Sequence, residues 1–206
     1  GAIMHNGVLL VDSLPSLNVS AVINDNAGTS INKTGNGLLQ LSAANLFTGG
    51  INVAAGGLVA GNNAAFGTGT VAFADGTALL TNNTARTLTN AMSFAGDITF
   101  NNTGATLNTA MNLNGTLSLS TAGVSDWNLP TPYLQVNVGN VLSGIGGINK
   151  TGIGLLQFNT AATYAGATQV SGGTLRYNIA NALPTGTALT INPTGVVELN
   201  GFSGTV

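Results

Sequence analysis

The chain has 206 residues, with 4 Lys or Arg, 6 Asp or Glu and one His, and its formal net charge is −2. Four basic residues cannot build a surface that neutralises phosphates, so no nucleic-acid partner is expected. The sequence has no cysteine, which excludes disulfides and cysteine-ligated metals, and no apolar run long enough for membrane insertion by this segment.

Short β-strands are predicted along the whole chain, because apolar and polar residues alternate between frequent turn residues. The clearest alternation covers residues 107–119, where odd positions are mostly apolar and even positions are small and polar. A bend is expected there, near Asn114 and Gly115. Further strands are predicted at residues 51–53, 71–73, 98–100, 134–138, 174–177 and 196–199.

The composition favours a thin core. Hydrophobic residues make up 44% of the chain, but only 5% of the residues are aromatic, whereas wide globular cores usually contain many large rings. Short strands with small interior side chains are typical of coils that stack on one another. We therefore predict an all-β parallel β-solenoid with about ten coils of about 20 residues each.

An internal duplication is visible in the sequence. Residues 31–40, INKTGNGLLQ, recur 117 positions later at 148–157 as INKTGIGLLQ, with nine of the ten residues identical. Weaker matches at the same displacement extend in both directions. We predict a single solenoid over residues 1–206, built from two related copies (about 13–89 and about 130–206) with a divergent middle segment at about 90–129.

The second copy carries a longer pattern. Residues 148–158 are followed by Tyr164, Gly166 and Val170, and then by a Gly-Gly-x-Leu segment at 172–175. This arrangement resembles the autotransporter-associated β-strand repeat, also called the passenger-associated repeat. The first copy also fits this pattern, whereas in the second copy Ala162 stands where Asn is usual.

The resemblance implies a right-handed parallel β-helix in the exported passenger region of a large surface protein. It therefore implies an extracellular or cell-surface location in a Gram-negative bacterium, and a structural role without catalytic residues. On this basis we predict no catalytic, cofactor-binding or metal-binding residues in the chain.

Two sets of charged residues are nevertheless candidates for chemistry. Asp75 and Asp97 are 22 positions apart, about one coil, so they could stack as the carboxylate pair of a polysaccharide-active enzyme. Asp75 precedes a glycine, however, and Asp-Gly is ordinary turn chemistry, which we favour. Lys33 and Lys150 occupy equivalent repeat positions, and we interpret them as a solvated face rather than as ligand contacts.

Two further side chains attract attention because each is the only one of its kind. Trp127 is the single tryptophan, and we expect it to pack a loop against the coils rather than to bind sugar. His5 is the single histidine and has no evident ligand partner, so we expect it at the surface.

The function predicted from these patterns is a passenger stalk or scaffold, or a self-assembling fibre subunit. End-to-end association is expected through uncapped solenoid edges, because an uncovered last coil has unpaired strands. The alternatives are an adhesin that contacts a surface glycan or a host or neighbouring cell, an ice-binding face built on paired threonines, and a polysaccharide-active enzyme. The threonine pairs do not recur once per coil, as an ice-binding array requires.

Overall fold

The structure is a computed structural model that describes residues 3–5, 8–12, 16–25, 28–104 and 109–205. Within these ranges the chain forms 24 short strands and no helix, so none of the described segments could span a membrane as a helix. In chain order the strands are β1 (Ile3–His5), β2 (Val8–Val11), β3 (Ser16–Val19), β4 (Ile23–Asp25), β5 (Ser30–Lys33), β6 (Leu38–Leu41), β7 (Ile51–Val53), β8 (Gly57–Ala60), β9 (Val71–Phe73), β10 (Thr77–Thr81), β11 (Arg86–Leu88), β12 (Met92–Phe94), β13 (Ile98–Asn102), β14 (Thr109–Leu113), β15 (Leu117–Leu119), β16 (Val124–Asn128), β17 (Leu134–Val138), β18 (Leu142–Gly144), β19 (Gly147–Thr151), β20 (Leu155–Phe158), β21 (Thr168–Val170), β22 (Gly173–Tyr177), β23 (Leu189–Ile191) and β24 (Gly195–Glu198).

Of the 24 strands, 22 stack into three long parallel sheets, and β1 pairs with β4 in a separate two-stranded parallel sheet. The chain moves around the column in one direction, although not every coil has a strand in all three long sheets. Sheet A contains β2, β5, β7, β9, β12, β15 and β18; sheet B contains β3, β6, β8, β10, β13, β16, β19, β21 and β23; sheet C contains β11, β14, β17, β20, β22 and β24. Sheet B has one strand per coil, so its nine strands correspond to about nine coils and a column about 40 Å long. The predicted parallel β-solenoid is confirmed.

Individual strand predictions agree closely with the structure. Strands at 51–53, 71–73 and 134–138 have the predicted bounds. Those predicted at 98–100 and 174–177 differ by one or two residues at one end, and the one predicted at 196–199 is shifted by one residue. The predicted bend near Asn114 separates β14 from β15, and it turns the chain from sheet C to sheet A. Residues 107 and 108 of that prediction lie outside the described residues.

Alternate residues of each strand point into the column and form rows along its axis. In β7, for example, Ile51 and Val53 are buried while Asn52 between them is exposed. The row that contains Val53 continues to Phe73 and Phe94 in the next two coils, and these two rings stack with centroids 5.5 Å apart. The interior is therefore a narrow column in which each coil buries apolar surface mainly against the coils above and below it.

The length of a coil changes along the column. Hydrogen-bonded neighbours on successive coils are 20 positions apart at Asn32 and Asn52 and 25 apart at Asn112 and Asn137. The largest separation, 29 positions, is between Asp97 and Asp126. The extra residues lie in the turns, so the strands of the divergent middle segment still pair in register within the three sheets.

The two copies of the duplication lie on different sides of the column. The first copy places β5 in sheet A and β6 in sheet B, whereas the second places the equivalent β19 and β20 in sheets B and C. Between β5 and β19 the chain adds five further strands to sheet A. The second copy therefore begins five full coils further along the column and one sheet further around its axis. Outward-facing residues of the two copies therefore face different directions around the axis.

Asn45 connects three successive coils through its buried side chain. Its Oδ1 accepts the backbone N–H of Ile23 at 2.8 Å, and its Nδ2 donates to the carbonyl of Ala65 at 2.6 Å. The side chain is only 2% exposed, so water cannot replace these bonds. Ala162, its counterpart in the second copy, is also buried but has no amide to offer.

We expect Asn45→Ala to lower the free energy of unfolding by about 2 kcal/mol, because it leaves a buried N–H and a buried carbonyl without partners. Urea unfolding followed by Trp127 fluorescence measures this loss. Asn159→Ala removes an exposed asparagine that also bonds between coils, and it should cost no more than about 0.5 kcal/mol. Equal losses for the two variants would contradict the role given to Asn45.

Candidate functional site

The two lysines of the duplicated segment point into the column, not into solvent. Lys33 and Lys150 are both 0% exposed. The expectation of a solvated face is therefore wrong, because the alternation that turns Ile31 inward and Asn32 outward also turns Lys33 inward. Most coils place an apolar residue in the row of Lys33, including Val53 directly above it.

The ammonium group of Lys33 lies in a cage of backbone carbonyls. It donates to the carbonyl oxygens of Thr34, at 3.0 Å, and of Gly35, both in the turn that follows its own strand. It also donates to the carbonyl of Ala55, at 3.0 Å, in the corresponding turn of the next coil. One side chain thus ties two coils together at the corner between sheets A and B.

The second copy repeats this cage one face further around the column. The ammonium of Lys150 donates to the carbonyls of Thr151 at 2.7 Å and Gly152 at 2.8 Å. Its third acceptor is the carbonyl of Gly172, 3.0 Å away and 22 positions along the chain. Corresponding carbonyls are used in both copies, so the cage is a property of the repeat.

Glycines allow the turns of neighbouring coils to approach closely enough to form the cage. Gly56 has a φ of 70°, and a Cβ there would lie 2.6 Å from the carbonyl oxygen of Gly35. Gly173 has a φ of 63°, and a Cβ there would lie 2.6 Å from the carbonyl oxygen of Gly152. Both the backbone conformation and the space thus require glycine. This packing of turn on turn explains the glycine that follows the third carbonyl of each cage, Gly56 after Ala55 and Gly173 after Gly172.

Burial and the carbonyl cage act on the ammonium groups in opposite directions. Burial lowers the pKa of Lys150 to about 8, because a low-dielectric surrounding disfavours the charged form. The three carbonyl acceptors favour that charged form. Burial also lowers the pKa of Lys33, and the charge of Asp12 acts in the opposite direction. Because neither amine is exposed, no substrate reaches them, and what the cages supply is cohesion between coils.

The lowered pKa of Lys150 predicts a pH dependence of stability. From about pH 8 up to the ordinary lysine value of 10.5, the unfolded chain binds more protons than the folded chain, so stability rises with pH. The gain is lost again as the pH falls through about 8. We expect the wild type to gain about 1–2 kcal/mol relative to Lys150→Met between pH values of about 7.5 and 9.5, as measured by urea unfolding. A constant difference between the two proteins would contradict this.

Asp75 and Asp97 do come together on adjacent coils, as their spacing predicted. The backbone N–H of Asp97 donates to Oδ1 of Asp75 at 2.7 Å. In the same way the N–H of Asp126 donates to Oδ1 of Asp97 at 2.8 Å, and Nδ2 of Asn149 donates to Oδ1 of Asp126 at 2.9 Å. Each carboxylate thus binds the coil above it. Asp75 and Gly76 lie in a turn, in agreement with the turn interpretation of Asp75.

An open recess of about 320 Å³ lies beside these aspartates and is lined by Gly76, Asp97, Ile98, Thr99, Asp126, Asn128 and Thr151. No His, Lys or Arg is among these residues. Across the described part of the chain, no three His, Cys, Asp or Glu side chains come together as a metal site. The two carboxylates that line the recess, Asp97 and Asp126, are those that accept hydrogen bonds from the next coil.

Trp127 is buried in the column, but it belongs to strand β16 and not to a loop. The expected loop position is wrong because the alternation of β16 points Trp127 inward, where it is 0% exposed. Its ring lies 5.2 Å from the rings of both Phe94 and Phe100. The side chain of His5 lies outside the described part of the structure, so its surface position stays a prediction.

The comparisons with known proteins agree with the geometry of the two cages. The family model of the passenger-associated-transport-repeat matches residues 31–60 and 148–176. These segments contain both lysines and all six of the carbonyls that they bind. No curated protein and no solved structure matches the chain. The chain thus carries two passenger-associated-transport repeats, which confirms the resemblance seen in the sequence.

Proposed function

We propose that this chain is a rigid spacer within the exported passenger region of a surface protein of a Gram-negative bacterium. The observation that carries the proposal is that the two repeats build one continuous column, with caged lysines at equivalent corners. The role is mechanical: the column holds whatever lies on either side of it at a fixed separation and orientation. We assign it no catalytic step.

The contacts between coils support this role. Backbone hydrogen bonds join successive strands in all three sheets, and side-chain bonds run parallel to them on the outside, as between Asn32 and Asn52 at 2.9 Å. A column held by ladders of this kind resists bending because each coil in its interior is paired with the coils on both sides. Its few charges leave the surface chemically uniform.

Removal of one whole coil tests the spacer role. Deleting residues 71–91 should let β7 pair with β12, because Val71 and Met92 already occupy equivalent register positions. The column should shorten by about 4.8 Å and stay folded. Deleting residues 71–81 alone removes only part of a coil. It should prevent folding, because the inward-facing residues that follow the deletion no longer align with those of the coil below. If both deletions fold equally well, stacking in register is not what holds the protein together.

The proposed location is tested on intact cells of the source bacterium. An antibody raised against the folded chain should label cells whose outer membrane is intact, and added protease should remove the signal. Labelling that requires permeabilised cells would refute export. This outcome is independent of the coil deletions, so location and mechanical role can fail separately.

Contact with a neutral glycan is a second candidate function, favoured by one surface feature. Tyr133 is 44% exposed beside an open recess of about 290 Å³ that Thr109, Gln135 and Leu155 also line. An exposed ring next to hydroxyl and amide groups suits a sugar ring that stacks and donates hydrogen bonds. Titration with defined neutral oligosaccharides should show binding that Tyr133→Ala abolishes, and absence of binding to the wild type refutes this candidate.

A further inference from the structure

One inward-facing row of sheet B changes from apolar to polar along the column. Leu41 and Ala60 occupy this row in β6 and β8, and the register of the strands shows that Thr81 and Asn102 continue it in β10 and β13. All four side chains are buried; Thr81 is 0% exposed and Asn102 is 6% exposed. Two polar side chains thus stand next to each other in an otherwise apolar row.

The amide of Asn102 uses only part of its hydrogen-bonding capacity. Its Nδ2 donates to Oγ1 of Thr109 at 2.8 Å, and this bond fixes the orientation of the amide. Its Oδ1 is buried and accepts no hydrogen bond from the residues that the structure describes. Because a buried carbonyl oxygen without a donor is costly, this atom needs a donor from elsewhere.

The hydroxyl of Thr81, one coil below, is in the same situation. Its Oγ1 is buried and forms no hydrogen bond within the described part of the chain. Thr81 and Asn102 are direct partners in the register of β10 and β13, on strands about 4.8 Å apart, so their oxygens lie in neighbouring parts of the interior without bonding to each other. Ala60, directly below Thr81, has only a methyl group and takes little of the space beside it.

We propose that this polar pair is the binding site of a structural water molecule, which bridges Oγ1 of Thr81 and Oδ1 of Asn102. The water accepts a hydrogen bond from the hydroxyl of Thr81 and donates one to the carbonyl oxygen of Asn102. The bridge joins β10 to β13 in addition to their backbone hydrogen bonds, beside the short pairing between β13 and β16. Its role is cohesion between coils, and the inference does not depend on the proposed function.

Thr81→Val tests the proposal through the sign of its effect on stability, because valine has the shape of threonine without the hydroxyl. Since the substitution removes one partner of the water, the equilibrium constant of unfolding should rise about fivefold. Urea unfolding of the full chain measures this change. Removal of a buried hydroxyl that binds nothing would instead leave the stability unchanged or raise it, and that result would overturn the proposal.

Thr77→Val is the matched control, because Thr77 lies in the same strand, is 1% exposed and donates from Oγ1 to the carbonyl of Ala74 at 2.6 Å. Loss of this direct bond should lower the urea midpoint, and Thr81→Val should shift the midpoint in the same direction.

A crystal structure of the full chain locates the water directly. Wild-type density should show one water within hydrogen-bond distance of Oγ1 of Thr81 and Oδ1 of Asn102, and this density should be absent from Thr81→Val. A wild type in which the two side chains bond to each other, or in which no water lies between them, would refute the site.

Discussion

Replacing Trp127 with alanine is expected to lower the free energy of unfolding by about 4 kcal/mol, the largest effect of any single substitution proposed here. The side chain is 0% exposed and contacts the rings of Phe94 and Phe100. Its removal leaves a cavity in a narrow column, where few side chains are close enough to collapse into the space.

The position of Trp127 along the column increases the effect. The strands β13 and β16 share only two paired positions, Ile98 with Trp127 and Thr99 with Asn128, whereas β16 and β19 share five. The longest coil also lies here. The aromatic cluster therefore spans the weakest backbone junction in sheet B, and its loss should let the two halves of the column unfold separately.

Far-UV circular dichroism during urea unfolding measures both effects, since Trp127→Ala removes the only tryptophan fluorophore. We expect two transitions where the wild type shows one. Phe158→Ala is the control, because Phe158 is equally buried but lies in β20, which shares four paired positions with each neighbour. It should lose stability and keep a single transition. A single transition in Trp127→Ala would show that the junction is not weak.

The parallel solenoid was predictable from the sequence because its determinants are local. Alternation of apolar and polar residues, as in 51–53, fixes which side chains enter the column, and closely spaced turn residues limit each strand to a few residues. Both features are readable in a window of about ten positions. The expectation of a thin interior also agrees with the structure, although most phenylalanines lie inside it and two of them, Phe73 and Phe94, stack.

The rotation between the two copies could not be predicted from their spacing. A displacement of 117 residues would be close to six coils if every coil had 20 residues, and both copies would then lie on the same face. The structure has coils of 19 to 29 residues, so the same displacement equals five coils plus a step to the next sheet around the axis. Turn lengths decide this, and turns tolerate insertions without disturbing the rows of interior residues.

The lysine cages were missed because residue type was given more weight than position. Alternation alone places Lys33 on the same side of its strand as Ile31, and the same holds for Lys150 and Ile148. The usual rule that lysine is exposed prevailed over this pattern. The carbonyls that make the burial tolerable come from turns 2 and 22 positions away, and only the stacking of coils brings them together.

Replacing Lys150 with methionine should lower the free energy of unfolding by about 3 kcal/mol near neutral pH. Methionine fills a similar volume, but the carbonyls of Thr151, Gly152 and Gly172 lose the ammonium that all three bind. Each buried acceptor without a donor costs about 1–3 kcal/mol, and relief from burying a charge offsets part of that sum. The carbonyl of Thr151 also accepts the backbone N–H of Leu129, at 3.1 Å, so the main loss falls on the carbonyls of Gly152 and Gly172. The loss of acceptor partners still wins because these two buried acceptors depend on one side chain.

Ile148→Met is the control, because it changes a buried neighbour in the same strand without touching the cage. It should cost less than about 1.5 kcal/mol. Urea unfolding followed by circular dichroism compares the variants, and a Lys150→Met protein as stable as the wild type would show that the cage adds nothing to cohesion between coils.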